Sequence, residues 1–419
     1  MSQLEQPPAA AWYRTITRAQ WNTLFAAMLG WMLDAMDFAI YLMALTHLQD
    51  VFDFKDDIAG LLATVTLLTS AVGGLLFGVV ADRVGRTRAL MATILIFSLC
   101  SLATATAQDL PQLILWRTLL GLGMGGEWAS GAVLVSETWP AEHRGKAIGI
   151  MQSGWALGYI LAALLAAAIL PTLGWRWLFA MGVLPALFVF WVRRSVHEPP
   201  VWTARQAQSG PAGNPFGVIF GKALLYRTVI ATLLATVVMF GYWGVFTWLP
   251  GFLSKPVTQG GAGMDIRSVS GWIIPTQFGA FFGYLSFGWI SDRLGRRLAF
   301  ILFMIAAAII VPIYGQLGEN HLALMLLGPV LGFCGHGYFS VFGAMLAELF
   351  PTRVRATGQG FTYNVGRGLG AFAPYTIGAL AKMEGVGIGL ALGLTSAFFL
   401  AGAVLIVLVP DTQGKTLES

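Results

Sequence analysis

GVVADRVGRTR, at residues 78–88, occurs again in altered form as GWISDRLGRRL, at residues 288–298. A second motif, SETWPAEHRGKAIG at 136–149, recurs as AELFPTRVRATGQG at 347–360. In both cases the two copies are about 210 positions apart. The chain therefore contains an internal repeat, and each half carries the same elements in the same order.

The composition restricts the class of protein. Of the 419 residues, 57% are hydrophobic and only 11% are charged, whereas soluble domains carry about 25% charged residues. Cys100 and Cys334 both lie in apolar runs, which argues against a disulfide framework or a metal cluster. Residues 1–20 are polar and the first apolar run is long enough to span a bilayer, so we expect no cleavable signal peptide. These features indicate an all-α membrane protein.

Windows of about 20 apolar residues predict twelve transmembrane helices. The longest polar stretch, 194–222, is rich in Pro, Gly and Ser and separates six windows from six. We therefore expect an N-terminal six-helix bundle at 1–193, a cytoplasmic linker at 194–222 and a C-terminal six-helix bundle at 223–419. The predicted spans are 21–45, 58–81, 89–107, 112–136, 146–170, 175–193, 224–250, 268–291, 298–317, 321–349, 356–381 and 386–409.

The placement of the basic residues predicts the orientation of the chain. Most of the 25 Lys and Arg residues lie near the N-terminus, in the even-numbered connections between spans, or in the C-terminal tail. By the positive-inside rule, both termini are then cytoplasmic. The first connection on the opposite side carries four aspartates and one lysine between residues 50 and 57. The net charge of +5 therefore reflects topology rather than a nucleic-acid surface.

Several ionisable side chains fall inside the predicted spans. Such groups are costly in hydrocarbon unless they are paired or hydrated, and they usually mark a transport pathway. The residues concerned are Asp34, Asp37, Arg117, Glu127, His336 and Arg367.

In the first half, Asp34 and Asp37 are three residues apart and therefore share a helix face. The antiparallel fourth span places Arg117 at a depth similar to that of Asp37, which predicts that the two pair. Asp34 and Glu127 are left without a basic partner nearby, and buried carboxyl groups of this kind suit proton binding. The alternative is that the acids only hold spans 1 and 4 together. The sequence leaves open which acid is the main proton carrier.

In the second half, Arg367 is predicted to lie about 17 Å from the inner end of span 11. Asn364 and Tyr363 precede it by three and four residues, so we expect all three side chains to face one cavity. A guanidinium group matches a carboxylate and needs an anion at this depth, which predicts a bound substrate anion. The alternative is an ion pair with an intramembrane acid of the first half or with Glu348.

Span 7 corresponds to span 1 in the repeat, but it carries no intramembrane acid. It offers Tyr242 and Trp243 instead, which we expect to contribute to the substrate site. His336 lies among small residues in FCGHGYF, and a structural role suits it at least as well as a functional one.

The repeated motifs place acids beside arginines at the predicted inner ends of the spans. We expect these charges to form gates that lock the two halves together on the cytoplasmic side and break when the halves move. Simple anchoring of the topology is the alternative. The predicted gating residues are Asp82, Arg83, Arg86, Glu137, Arg144, Asp292, Arg293, Arg296, Glu348 and Arg355.

Motifs for other functions are weak or missing. GLGMGG, at 121–126, fits a dinucleotide fingerprint by spacing, but no strand precedes it, so we expect close helix packing instead. GKT at 414–416 lacks the upstream glycine of a phosphate-binding loop. The sequence therefore predicts no enzyme, no cofactor and no metal site, and an ion gradient as the energy source.

The motifs at 78–88 and 288–298 resemble the twice-occurring loop signature of the major facilitator superfamily. The resemblance extends over essentially the whole chain and implies two pseudo-symmetric six-helix bundles. DAMD (34–37), RTLLGLGMGGEWASG (117–131) and GWRWLFAMGVLPAL (174–187) further resemble the bacterial sialic-acid and lactate proton symporters. Aromatic-acid and nicotinate symporters share the Asp-x-x-Asp first helix, and the ending DTQGKTLE is similar to that of sugar porters.

Together these features predict a proton-coupled symporter for a small organic anion that works by alternating access. A monocarboxylate such as lactate or pyruvate, or a sialic-acid-type sugar acid, is the first expectation. A proton symporter for a neutral sugar, an aromatic acid or nicotinate is the alternative, and a membrane receptor that transports nothing fits poorly. We expect a monomer in the bacterial inner membrane, with the substrate anion and H⁺ as its partners.

Overall fold

The computed structural model describes residue 13 and residues 15–140, 143–198, 215–351 and 354–410. Within these residues the regular structure is helical. The helices are α1 Arg18–Phe52, α2 Asp56–Val84, α3 Arg86–Thr104, α4 Leu110–Thr138, α5 Arg144–Ile169, α6 Trp175–Ser195, α7 Leu225–Ser254, α8 Ile266–Leu294, α9 Arg296–Gln316, α10 His321–His336 continuing as Phe339–Glu348, α11 Arg355–Gly370 continuing as Ala373–Ala381, and α12 Gly387–Leu408. A short helix, Pro215–Ile219, precedes α7.

Helices occupy all twelve predicted span positions. Among the described residues, eight of them are long and apolar enough to cross a membrane by length and composition: α1, α2, α3, α5, α6, α7, α9 and α12. Of the other four, α4 and α8 are each 29 residues long, and α10 and α11 are each divided into two shorter helices. The all-α membrane fold with two six-helix bundles is therefore confirmed.

Local structure repeats with the same offset as the sequence. The tight connections α2–α3 and α8–α9 turn at Gly85 and Gly295, whose φ angles of 124° and 86° favour glycine. The N-terminus of α4 is capped by Asp109, whose carboxylate accepts a hydrogen bond from the Gln112 N–H at 2.8 Å. In the second half, Asn320 caps α10 in the same way. The two bundles therefore use matching turns and caps.

Close helix packing explains the glycine-rich motif at 121–126. Gly125 on α4 lies against the backbone carbonyl of Ser70 on α2, so tightly that a Cβ would not fit. Gly332 on α10 makes the equivalent contact with Thr276 on α8. The prediction of a packing motif rather than a nucleotide loop is confirmed, because the segment is helical throughout.

The interface between the bundles positions the functional residues. Within the bundles, α1 packs on α5 and α2 on α4, while α8 packs on α10 and α7 on α11. Across the interface, α2 packs against both parts of α11, and α5 packs against α8. The connections α1–α2, α3–α4, α5–α6, α7–α8, α9–α10 and α11–α12 lie on one side, which the charge pattern predicts to be external. It is named the predicted outer face, and the opposite side the predicted inner face.

Candidate functional site

A small cavity lies between the bundles near the middle of the molecule. Its volume is about 30 Å³, enough for one or two water molecules. Rings dominate the wall, so the cavity combines an apolar surface with a few polar groups. The lining residues are Trp31, Trp155, Tyr242, Trp243, Tyr284, Phe339 and Tyr363, together with Gln152, Met239 and Arg367.

Arg367 is the cationic residue of this cavity wall. Its side chain is 1% exposed, and neither Nε nor either terminal nitrogen has a hydrogen-bond partner. A guanidinium group carries five N–H donors and stays charged, so this burial is costly without an anion. The site therefore presents an unsatisfied, anion-binding group to whatever enters the cavity.

Asp34 on α1 and Glu127 on α4 act on this guanidinium group through space. Both side chains are fully buried, and none of their carboxylate oxygens has a hydrogen-bond partner. Asp34 interacts electrostatically with Arg367, and Glu127 with both Asp34 and Arg367. A Cβ on Gly30 would come within 2.5 Å of the Glu127 Oε1 atom, so the glycine makes room for this acid beside α1. Acids of one bundle thus face the cation of the other.

Asp37 and Arg117 differ from the predicted direct pair. Asp37 Oδ1 accepts a hydrogen bond from the Ser101 hydroxyl at 2.7 Å. The Arg117 guanidinium lies over the Tyr41 ring, 4.6 Å from its centroid, and has no hydrogen-bond partner. The two charges interact electrostatically. Ser101 lies on α3 and Tyr41 on the next turn of α1. The prediction missed both because it compared only the depths of charged residues along their helices.

The predicted substrate residues divide into two groups. Tyr242, Trp243, Tyr363 and Arg367 line the cavity. Asn364 does not belong to the lining: it packs against Gly74 on α2, and its amide donates to the Gly360 carbonyl at 2.9 Å. Tyr363 and Arg367 are four residues apart and share a face. One further residue turns the side chain by about 100°, which carries Asn364 to the helix–helix contact.

His336 lies inside the second bundle rather than in the cavity wall. Its ring is fully buried and packs against Tyr242 and Phe246, with centroid distances of 5.1 and 4.1 Å. The Nδ1 atom is 3.0 Å from the Gly332 carbonyl. These contacts correspond to the structural alternative.

Two residues that the sequence reasoning missed complete the site. Trp128 on α4 stacks on Tyr363 of α11, with centroids 4.0 Å apart and planes 7° apart. Its indole N–H donates to Oε1 of Gln152 on α5 at 3.2 Å. The stack joins the two bundles directly beside Arg367. Trp128 directly follows the intramembrane Glu127 in the sequence, and this position could have indicated that it lies near the site.

The charged network at the predicted inner face ties one bundle to itself. Arg86 donates from Nε and one terminal nitrogen to the Glu137 carboxylate, both at 3.1 Å. The Glu198 carboxylate accepts the backbone N–H of Arg86 at 2.7 Å and also those of the next two residues. Arg86 and Glu137 belong to the N-terminal bundle, and Glu198 to the start of the predicted linker. Arg86 and Glu137 thus contact each other within the N-terminal bundle, and the expected lock between the halves stays a prediction.

Three further predicted gating residues have described side chains. Arg83 and Arg293 are exposed, and the Arg293 guanidinium lies 3.6 Å from the centroid of the Trp289 ring on its own helix. Arg296 is half-buried at the start of α9. The side chains that lie outside the described part of the structure are those of Asp82, Arg144, Asp292, Glu348 and Arg355.

Ion pairs between the bundles lie at the predicted outer face. Lys255 at the end of α7 pairs with Asp56 at the start of α2, at 2.8 Å. Lys382 at the end of α11 pairs with Asp57, also at 2.8 Å. They border a vestibule of about 1260 Å³ that is open to this face. The outer ends of the bundles are thus joined by ion pairs.

Comparison with known proteins identifies the fold family. The chain matches the Major Facilitator Superfamily over residues 27–273 and the family "Sugar (and other) transporter" over residues 228–412. It is 36% identical to a "Probable 4-methylmuconolactone transporter" of Cupriavidus pinatubonensis, covering 98% of this chain and 95% of the relative. It is 30% identical to "Sialic acid transporter NanX" of Escherichia coli, covering 97% and 98%.

A solved structure shows the same fold. It is the partially occluded inward-open conformation of the xylose transporter XylE from E. coli, with a TM-score of 0.77 at 18% identity. The superposition covers 96% of this chain and 100% of that one. Twelve helices in two bundles, a cavity between them and these matches lead to one conclusion. The chain belongs to the Major Facilitator Superfamily, whose members are membrane transporters of small molecules rather than enzymes.

Proposed function

We propose that this protein is a proton-coupled symporter for a small organic carboxylate. The observation that carries the proposal is Arg367: a charged side chain that is 1% exposed, has no hydrogen-bond partner and lines the central cavity. A substrate carboxylate offers this guanidinium the planar pair of acceptors that it lacks. A neutral sugar offers no such pair of charged acceptors.

The proton is assigned to the acids that face Arg367. While the cavity is empty, Asp34 and Glu127 supply the negative charge that stabilises the guanidinium. When a substrate carboxylate takes over this role, an unpartnered buried acid becomes costly in its charged form and binds a proton. One proton for each substrate carboxylate leaves the net charge of the cavity the same as in the empty state, so no added charge has to be moved through a closed state. The gradient of protons supplies the energy, and no cofactor is needed.

The cavity wall favours one group of carboxylates. Seven of its ten residues are aromatic, and flat rings or conjugated chains stack on such surfaces with favourable offset or edge geometry. This lining supports an aromatic or unsaturated acid, which can contact several rings, above lactate and pyruvate. The bundles must move apart to admit such an acid, because the cavity as it stands holds only one or two water molecules. The sialic acid transporter among the relatives supports a carboxylate as well. We therefore propose an aromatic acid as the first candidate substrate, ahead of lactate and pyruvate.

The remaining parts of the assignment follow the charge pattern. Both termini are proposed to be cytoplasmic, with the protein in the inner membrane of a bacterium. Residues 1–193 and 223–419 are proposed as the two moving bundles and 194–222 as their linker. A monomer is sufficient, because the cavity is built within one chain.

The experiment uses the full chain reconstituted into liposomes. Uptake of radiolabelled benzoate and lactate is measured with and without an inward proton gradient, for the wild type, Arg367→Gln, Arg367→Lys and the surface control Lys222→Gln. We expect gradient-driven uptake of benzoate, reduced about 10–100-fold in Arg367→Gln through the loss of charged hydrogen bonds. Arg367→Lys keeps the positive charge but loses the planar pair of N–H donors. Its benzoate uptake should therefore lie between those of the wild type and Arg367→Gln. Uptake that ignores the gradient, or survives Arg367→Gln unchanged, contradicts the proposal.

A further inference from the structure

The polar groups around the cavity are mainly hydrogen-bond donors. Besides Arg367, Trp31 and Trp243 line the cavity, and the indole N–H of each is buried without a partner. An indole nitrogen can only donate. A carboxylate on Arg367 would leave these two groups unsatisfied, and a buried donor without a partner is costly. The wall therefore calls for a ligand with acceptors beyond its carboxylate.

Gln152 adds a donor from the N-terminal bundle. An amide side chain has one accepting and one donating end, which are assigned from the hydrogen-bond network. Here the network decides the orientation: Trp128 can only donate, so Gln152 must turn Oε1 towards it, at 3.2 Å. Within the described residues, the amide NH₂ group then has no acceptor, and Gln152 is one of the cavity-lining residues.

Trp128 is itself held in place from the other bundle. Its ring is stacked on Tyr363 at 4.0 Å and nearly parallel. Tyr363 and Arg367 are four residues apart on α11, so both present their side chains to the same cavity. The order Arg367, Tyr363, Trp128, Gln152 forms a continuous chain of contacts that passes from one bundle to the other beside the cavity.

We propose that Gln152, oriented by Trp128, is a second substrate anchor that selects carboxylates carrying another hydrogen-bond acceptor. A ring nitrogen, a keto or lactone carbonyl, or a second carboxylate has the required chemistry. The inference rests on the proposed function, because Arg367 must hold the first carboxylate. Trp128 is a positioning residue: it contacts Gln152 and Tyr363 and fixes which end of the amide faces the substrate.

The bridging geometry gives this second anchor a role in transport. A substrate held by Arg367 on α11 and by Gln152 on α5 is bound to both bundles at once. A site built to hydrogen-bond a substrate group also rejects analogues that lack the group, since its own polar atoms are then left unpaired. An acid with a bare hydrocarbon ring should therefore be a poorer substrate than one of the same size with an acceptor.

The test compares two acids that differ in one acceptor. Benzoate and pyridine-3-carboxylate have the same size and charge, but only the second has a ring nitrogen. Their kcat/KM values are measured with the reconstituted protein for the wild type, Gln152→Leu, Trp128→Phe and the control Ser153→Ala. Ser153 neighbours Gln152 but bonds to the Ile150 carbonyl. We expect the wild type to prefer pyridine-3-carboxylate by at least about tenfold.

The variants separate selection from transport. Gln152→Leu should lower the preference about tenfold, and Trp128→Phe, which keeps the stack but removes the N–H donor, about threefold. Ser153→Ala should leave the preference unchanged. A preference within twofold of the wild type in Gln152→Leu, or equal losses for both acids in Trp128→Phe, overturns the inference. If the wild type transports both acids equally well, the second anchor fails while the proposed function stands; if it transports neither this pair nor other carboxylates, the proposed function itself fails.

Should Gln152→Leu prove unstable in detergent, Gln152→Met supplies the second measurement. It keeps the length of the side chain but removes the NH₂ donor, so the preference for pyridine-3-carboxylate should disappear. Retention of the preference in this variant also overturns the inference.

Discussion

The ion pairs at the predicted outer face allow a test of what keeps that side closed. Asp56 and Lys255 are 15% and 9% exposed, and their charged atoms are 2.8 Å apart. Asp57 and Lys382 have the same separation but are 31% and 37% exposed. Both pairs join the start of α2 to the C-terminal bundle. Removing either lysine takes one positive charge from the same vestibule, which makes the two variants a matched comparison.

The expected magnitudes follow from burial. Removing one partner of a buried ion pair costs about 3–5 kcal/mol, whereas an exposed pair contributes about 0–1 kcal/mol. Asp56 keeps a hydrogen bond from Gln49 at 2.7 Å, so we expect Lys255→Met to destabilise the closed arrangement by about 2 kcal/mol. That corresponds to a change of about 30-fold in the equilibrium. Lys382→Met should change it by less than about fivefold.

Thr64 on α2 reports the opening of this face. It is 3% exposed, and its hydroxyl oxygen accepts a hydrogen bond from the Tyr375 backbone N–H at 3.2 Å. Thr64→Cys is introduced into a background in which Cys100 and Cys334 are replaced, and it is labelled in vesicles with a membrane-impermeant thiol reagent. The labelling rate measures the fraction of protein in which α2 and α11 have separated.

Lys255→Met should raise this labelling rate about 30-fold, up to the limit set by full opening. The exchange of charges in Asp56→Lys/Lys255→Asp should restore slow labelling, because the pair is rebuilt with opposite polarity. Equal labelling in Lys255→Met and Lys382→Met would refute the reasoning from burial. An unchanged rate in Lys255→Met would show that backbone packing alone closes this face.

Two further predictions concern the acids. Gly30→Ala should reduce gradient-driven uptake at least about tenfold, because the new Cβ displaces Glu127 Oε1. Gly360→Ala is the control, because a Cβ there meets nothing within 4 Å. Equal uptake in the two variants would contradict a role of Glu127 in transport. Ser101→Ala removes the hydrogen bond to Asp37 and should lower the free energy of unfolding by about 1–3 kcal/mol. The change should be measurable as a lower apparent Tm in detergent. An unchanged Tm would mean that the Asp37 carboxyl group finds another donor.

The fold was accessible from the sequence because both of its signals are strong. Apolar windows of bilayer length predict the twelve helices, and the twinned loop motifs predict their division into two similar halves. Matching caps such as Asp109 and Asn320 show that the repeat extends to local structure. Depth along a helix could also be estimated from the rise per residue, which is why Arg367 and the intramembrane acids were found.

Contacts between helices were less accessible, because they depend on rotation and not only on depth. Asn364 is one position from Tyr363, yet it faces α2 instead of the cavity. Arg117 has the depth of Asp37 but lies over Tyr41. Trp128 and Gln152 carry no charge, so the cost of burying an ionisable group does not single them out. Gln152 nevertheless lines the cavity, and Trp128 donates a hydrogen bond to it.

The small volume of the central cavity has a consequence for the energy supply of the cell. Among the residues that the structure describes, the lining of this cavity leaves room for one or two water molecules, too few for a file of water between the two aqueous phases. If the buried acids accept hydrogen ions as proposed, those ions can enter or leave only when a bundle moves and opens one side. An idle transporter would then not short-circuit the gradient on which it depends.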